Sequence, residues 1–221
     1  MAEKLHACLV QYFARLEKLN HKWQELSKNA EIPLMALANQ AEQFRSIITN
    51  PSTESTENAM HKEMLERFIF NILMRMEDEV RLLLNILTQF NDANQNLKNY
   101  LDNLENARSK ISLKDEATQE LINGTPHRPR LNMLLIWAVE SFQFYHKMYL
   151  QIKDSMNLLD YKAKDTIDNL ISSFKEDKRG RKNTNRILAF TQFLAKETLR
   201  QKGKDTRRHR RQLQRNITNK N

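Results

Sequence analysis

Three glycines, four prolines and one cysteine are very few for 221 residues. A chain so poor in turn formers is ill suited to an all-β architecture or to a glycine-loop-rich enzyme fold. A loop that cradles phosphate needs several glycines so that backbone amides can approach the anion. Gly124, Gly180 and Gly203 are not spaced for one. A zinc site needs grouped Cys and His, whereas the six histidines are scattered and Cys8 stands alone. Cys8 cannot form an intramolecular disulfide, and on the apolar face of the first helix it reads as an ordinary buried thiol suited to a reducing compartment. No metal, no cofactor and no catalytic group is expected, and the chain is not expected to be an enzyme. Glu3 and the lack of a continuous apolar segment near the start argue against a signal peptide. The densest apolar run, Met133 to Val139, is too short to span a bilayer. A soluble intracellular protein is expected, with the Asn123 and Asn216 sequons as chance matches.

The chain does have heptads. From 60 to 111 the apolar residues fall at Ile69, Leu73, Met76, Val80, Leu83, Leu87 and Phe90, then, past a polar Asn94, at Leu97, Leu101 and Leu104. Steps alternating between four and three residues are the a/d pattern of a coiled-coil seam. As one helix this stretch would run about 75 Å at a rise of about 1.5 Å per residue. The stripe is either core within this chain or a seam shared with a partner. Asn94 is either a register-setting polar position, because a buried Asn penalises shifted pairings, or a solvent-facing defect.

The same alternation appears in Leu5, Leu9, Tyr12, Leu16, Leu19, Trp23 and Leu26, predicting a first helix over about 2–28. Pro33 suits the first turn of a second helix carrying Leu34, Leu37, Ala41, Phe44 and Ile48. Residues 49–58 read as a loop. After the long seam, Ser112 and Asp115 suggest a capped short helix ended by Gly124 and Pro126. Pro129 opens the most apolar helix, to about Leu159, with one stripe through Leu131, Leu135, Ala138, Phe142, Tyr145, Tyr149 and Ile152 and a second through Leu134, Trp137, Phe144 and Met148. Ile167, Leu170, Ile171 and Phe174 mark a short amphipathic helix. The fold class expected is all-α, an elongated helical bundle of long coiled-coil-like helices over 1–174.

The formal net charge of +9 is unevenly placed. From Lys175 onward 16 Lys and Arg face 4 Asp and Glu, a net +12, while the preceding residues carry 20 against 23. Residues 175–221 are therefore read as a basic C-terminal extension, partly disordered, although Ile187, Phe190 and Leu194 suggest one more helix. Two clusters, Lys178, Arg179, Arg181 and Lys182, then Arg207, Arg208, Arg210 and Arg211, have the density of import signals or of RNA-contacting segments.

Pro129, Trp137, Tyr145, Tyr149, Leu150 and Lys153, at this spacing, resemble the AAA+ ATPase-interacting ribosome maturation factor (AIRIM) family. Leu9, Trp23, Pro33-Leu34, Leu37, Asn39 and Ala41-Glu42-Gln43 stand where that family has similar residues, in the same order, and the resemblance covers about 5–160. The basic extension lies outside it. The resemblance implies a non-enzymatic adaptor paired with a second, similarly built helical subunit. The pair would dock on a hexameric AAA+ ATPase that strips recycling factors from cytoplasmic large-subunit ribosome precursors, with links to chromatin and replication. Cytoplasm and nucleus are the expected locations. Leu83, Leu87, Phe90, Asn94, Leu97 and Leu101 are then the residues expected to hold the partner subunit. The Trp137, Tyr145 and Tyr149 face, with Lys153, is expected as bundle core or partner contact. Two other classes fit the same sequence: a helical protein that displays a basic tail to RNA or DNA, and a coiled-coil structural protein.

Overall fold

A computed structural model of the chain describes residues 2–49, 59–112, 116–125 and 128–194. Among these residues the fold is all-α. In order come α1 (Ala2–Thr49), α2 (Ala59–Ser109), α3 (Glu116–Asn123), α4 (Leu131–Asn157) and α5 (Lys164–Ser173), followed by a helix over 178–194, α6. Of the predicted loop over 49–58, Thr49 is the last residue of α1, while 50–58, the Asp115 half of the capping box and the Arg207, Arg208, Arg210 and Arg211 cluster lie outside the described residues.

One expected break is absent. Pro33 lies inside α1, which runs on as a single helix instead of ending near Lys28. Proline deprives the helix of one N–H bond and costs about 3 kcal/mol in a helix interior. The cost is offset by burial, because Trp23, Leu26, Ala30, Pro33, Leu37 and Ala41 form one unbroken apolar stripe on the buried face. Continuing the helix keeps that stripe in phase; a new start at Pro33 would not.

The helices form two compact units that interleave along the sequence. Unit 1 takes Met1–Lys18, Leu97–Phe142 and the chain from Arg181; unit 2 takes Leu19–Asn96 and Gln143–Gly180. Neither unit is bounded at residue 174, and α6 packs within unit 1 through Thr184, Ile187, Thr191 and Leu194, all buried. The start of the basic extension is thus a packed helix.

In unit 1, Leu5, Leu9, Tyr12, Phe13 and Leu16 of α1 are buried, as are Leu97, Leu101 and Leu104 of α2 and Leu131, Leu134 and Ala138 of α4. Tyr12 ties α1 to α4. Its hydroxyl donates to the Ala138 carbonyl at 2.6 Å and lies 3.1 Å from Ser141 Oγ. Between α3 and α4 the chain reverses tightly, with Thr125 and Arg128 exchanging both backbone hydrogen bonds. Gly124 ends α3 at φ +73°, and a Cβ there would come 2.7 Å from the Arg128 carbonyl oxygen. Only glycine fits both the left-handed conformation and the close approach.

Unit 2 closes around rings. Trp23 stacks on Phe90 with centroids 4.1 Å apart, and Tyr145 and Phe174 complete the cluster at 5.1 Å from Trp23 and 6.3 Å from Phe90. Ile167 and Leu170 of α5 are buried in the same unit. The Arg45 guanidinium donates to the Tyr161 carbonyl, and the Tyr161 hydroxyl donates to Glu77 Oε1 at 3.0 Å. Partial burial, together with that carboxylate, pushes the Tyr161 hydroxyl up to about 12.

Candidate interaction surfaces

The residues expected on a shared seam fall mostly inside the chain. Leu83, Phe90 and Asn94 are buried in unit 2, and Leu97 and Leu101 in unit 1; Leu87 is half-buried. Of the two readings of that stripe, core describes these side chains. Asn94 does not face solvent: its Nδ2 donates to the Tyr145 carbonyl at 3.3 Å, and its Oδ1 is buried without a hydrogen-bond partner among the described residues. Tyr145 in turn donates from its hydroxyl to Asn20 Oδ1 at 2.8 Å. Asn20, Tyr145 and Asn94 therefore fix how α1, α2 and α4 meet in this unit, since a buried polar group held by one specific partner disfavours other registers.

The aromatic set of α4 is not one face. Tyr145 is fully buried, Tyr149 is half-buried, Lys153 is exposed, and Trp137, in unit 1, stacks on Phe190 of α6 at 5.7 Å and 22°. Among the basic residues, Lys178, Arg179 and Lys182 are exposed on α6 and Arg181 is half-buried. Asp177 caps that helix. Its carboxylate accepts the Gly180 and Arg179 backbone N–H groups at 3.0 and 3.2 Å, which hold its carboxyl below the ordinary carboxylate range.

Two apolar surfaces remain open among the described residues. The first, in unit 2, is on α2 between 64 and 84. Met64, Phe68 and Leu82 flank the buried stripe, while Phe70, Met74 and Leu84 lie on the opposite side of the helix. Phe70 is 61% exposed and Phe68 51%. The charges between them are of mixed sign and pair locally, Arg67 with Glu63 at 2.7 Å and Arg81 with Asp78 at 3.2 Å. Exposed pairs of this kind contribute little stability. A helix apolar on several sides is built to be covered on several sides.

The second, in unit 1, is a groove of about 640 Å³ between the start of α4 and α6. Pro129, Met133 and Trp137 form one wall and Ala189, Phe190 and Phe193 the other, with Arg186 on the α6 side. Phe190 is 53% exposed and Phe193 49%. The sequence shows Phe190 as part of a helix, but Phe193, Met133 and Ile136 as surface residues emerge only once α6 is placed beside α4. Among the described residues no group of three or more His, Cys, Asp or Glu could hold a metal, and no helix is long and apolar enough to cross a membrane.

What these surfaces offer is shape and apolar area. Residues 3–191 match the family described as ribosome biogenesis protein C1orf109-like, a stretch that includes α1 to α5 and α6 as far as Thr191. No curated protein matches the chain. The match spans both compact units and extends past the limit of the AIRIM resemblance, into the basic helix; the chain belongs to this C1orf109-like family of ribosome biogenesis proteins.

Proposed function

We propose that this member of a ribosome biogenesis family acts as a non-enzymatic adaptor subunit. It would pair with a second helical adaptor, and the pair would recruit a hexameric AAA+ ATPase to large-subunit ribosome precursors for release of recycling factors. The observation that carries the reading is the side of α2 where Phe70, Met74 and Leu84 stand exposed, opposite the buried stripe of the same helix. About 25 cal/mol is forgone for each Å² of apolar surface left in water, so a partner helix laid there gains affinity from surface this chain does not cover itself. Work in both cytoplasm and nucleus fits the reading, with the basic residues from Lys178 onward, including Arg207 to Arg211, serving import or contact with ribosomal RNA.

The test is purification of the tagged full chain from cells, followed by mass spectrometry and sizing of the complex. A stoichiometric AAA+ ATPase and a second helical subunit are expected. Phe70→Ser with Met74→Ser should leave the helical circular dichroism intact and weaken pairing by about 30-fold or more, the scale of interface anchors. Recovery of the chain without either partner, or pairing indifferent to the double variant, would defeat the proposal.

A further inference from the structure

We infer that the α4–α6 groove of unit 1 receives an acidic amphipathic helix from another protein. The inference stands on unit 1 alone and does not depend on the α2 surface. The groove's volume of about 640 Å³ lies in the range of about 300–1,000 Å³ typical of binding clefts. The wall runs from Pro129, just before α4, through Met133 to Trp137, about two helical turns of chain. Two turns of a guest helix span that length and present anchors at i, i+3 or i+4, and i+7. Met133 supplies the adaptable thioether and Phe190 and Phe193 the broad apolar area that such grooves use.

Charge selects the guest. Residues 181–194, the part of α6 in unit 1, carry three Lys and Arg and no Asp or Glu, and Lys182 and Arg186 share one face of α6 a turn apart. Over 131–142 of α4 the single carboxylate is Glu140, which accepts Asn183 Nδ2 at 3.2 Å. A guest flanked by Asp and Glu meets complementary potential here, whereas a basic one is repelled. The chain's own residues 195–221, with ten Lys and Arg against two Asp and Glu, carry the same sign as the rim. Single-stranded RNA fits less well. Tracking a phosphate backbone takes a groove lined by several cations, and among the described residues Arg186 is the one cation lining the cleft.

A display library of helical 18-residue peptides, panned on the full chain and counter-panned on Phe190→Ser/Phe193→Ser, tests this. Enriched peptides should carry apolar residues at helical spacing with Asp and Glu beside them. They should bind the double variant at least about 30-fold more weakly and Arg186→Glu about tenfold more weakly. Melting of both variants, followed by circular dichroism, separates lost binding from lost folding. Four results would overturn the inference: no peptide sensitive to Arg186→Glu; enrichment of basic peptides; peptide binding that appears only after residues 195–221 are deleted, which makes the chain's own end the occupant; or dimerisation abolished by Phe193→Ser, which makes it a second copy. A 12-residue oligouridylate that binds wild type, competes with the peptides and is lost in the Phe190→Ser/Phe193→Ser variant would assign the groove to RNA and overturn it as well.

Discussion

The two tryptophans of this chain have the same residue chemistry and opposite surroundings. Trp23 is closed in by Phe90 and Tyr145, with 1% of its surface exposed. Trp137, at 7%, is covered on one side by a phenylalanine that is itself half in water and forms the wall of an open cleft. The first ring consolidates unit 2. The second gives unit 1 a rigid floor on which exposed apolar side chains are displayed. Aromatic area therefore does two jobs here, and exposure of the neighbours separates them better than exposure of the tryptophan itself.

The sharpest way to break this comparison is truncation. Trp23→Ala should cost about 3–5 kcal/mol, because the cavity left is enclosed on all sides, read as a large drop in the urea midpoint. Trp137→Ala should cost less, about 1.5–3 kcal/mol, since the space it vacates opens to solvent and the cavity penalty is relieved. Equal losses for the two variants would mean that the groove is closed in solution. Tyr145→Phe keeps the ring and removes the hydroxyl that reaches Asn20, for a loss of about 1 kcal/mol with the fluorescence of Trp23 little changed. Phe193→Ser should cost less again, about 0.5–1 kcal/mol, since half of the ring already lies in water; a loss as large as that of Trp23→Ala would place Phe193 with the core residues and erase the distinction.

The all-α class and the long α2 were legible from the heptads, as was the interior position of Leu5, Leu9, Trp23, Phe90 and Leu97. Which stripes close on the chain itself was not, because a core seam and a shared seam have the same spacing. Pro33 shows a second limit. As a local signal it reads as a helix start, but Ala30 and Pro33 fall in phase with Trp23, Leu26, Leu37 and Ala41, and tertiary burial overrides the local rule. A third is α6. Its buried positions, Thr184, Ile187, Thr191 and Leu194, keep the three-four-three spacing, but two threonines and a run of cations hide the stripe inside what composition marks as a tail. The α4–α6 groove was illegible for the same reason, since its second wall belongs to that helix.

The interleaving of the two units constrains how the protein can be made. Unit 2 needs Gln143–Gly180 to join Leu19–Asn96, and unit 1 lacks α6 until the chain past Arg181 has been synthesised. At about 5–20 residues per second, α1 and α2 emerge seconds before the segments that complete either core. The α1 and α2 stripes consequently stay incompletely covered until α4 has been made. No cut at a single point in the sequence releases one unit whole, so synthesis cannot finish one before starting the other.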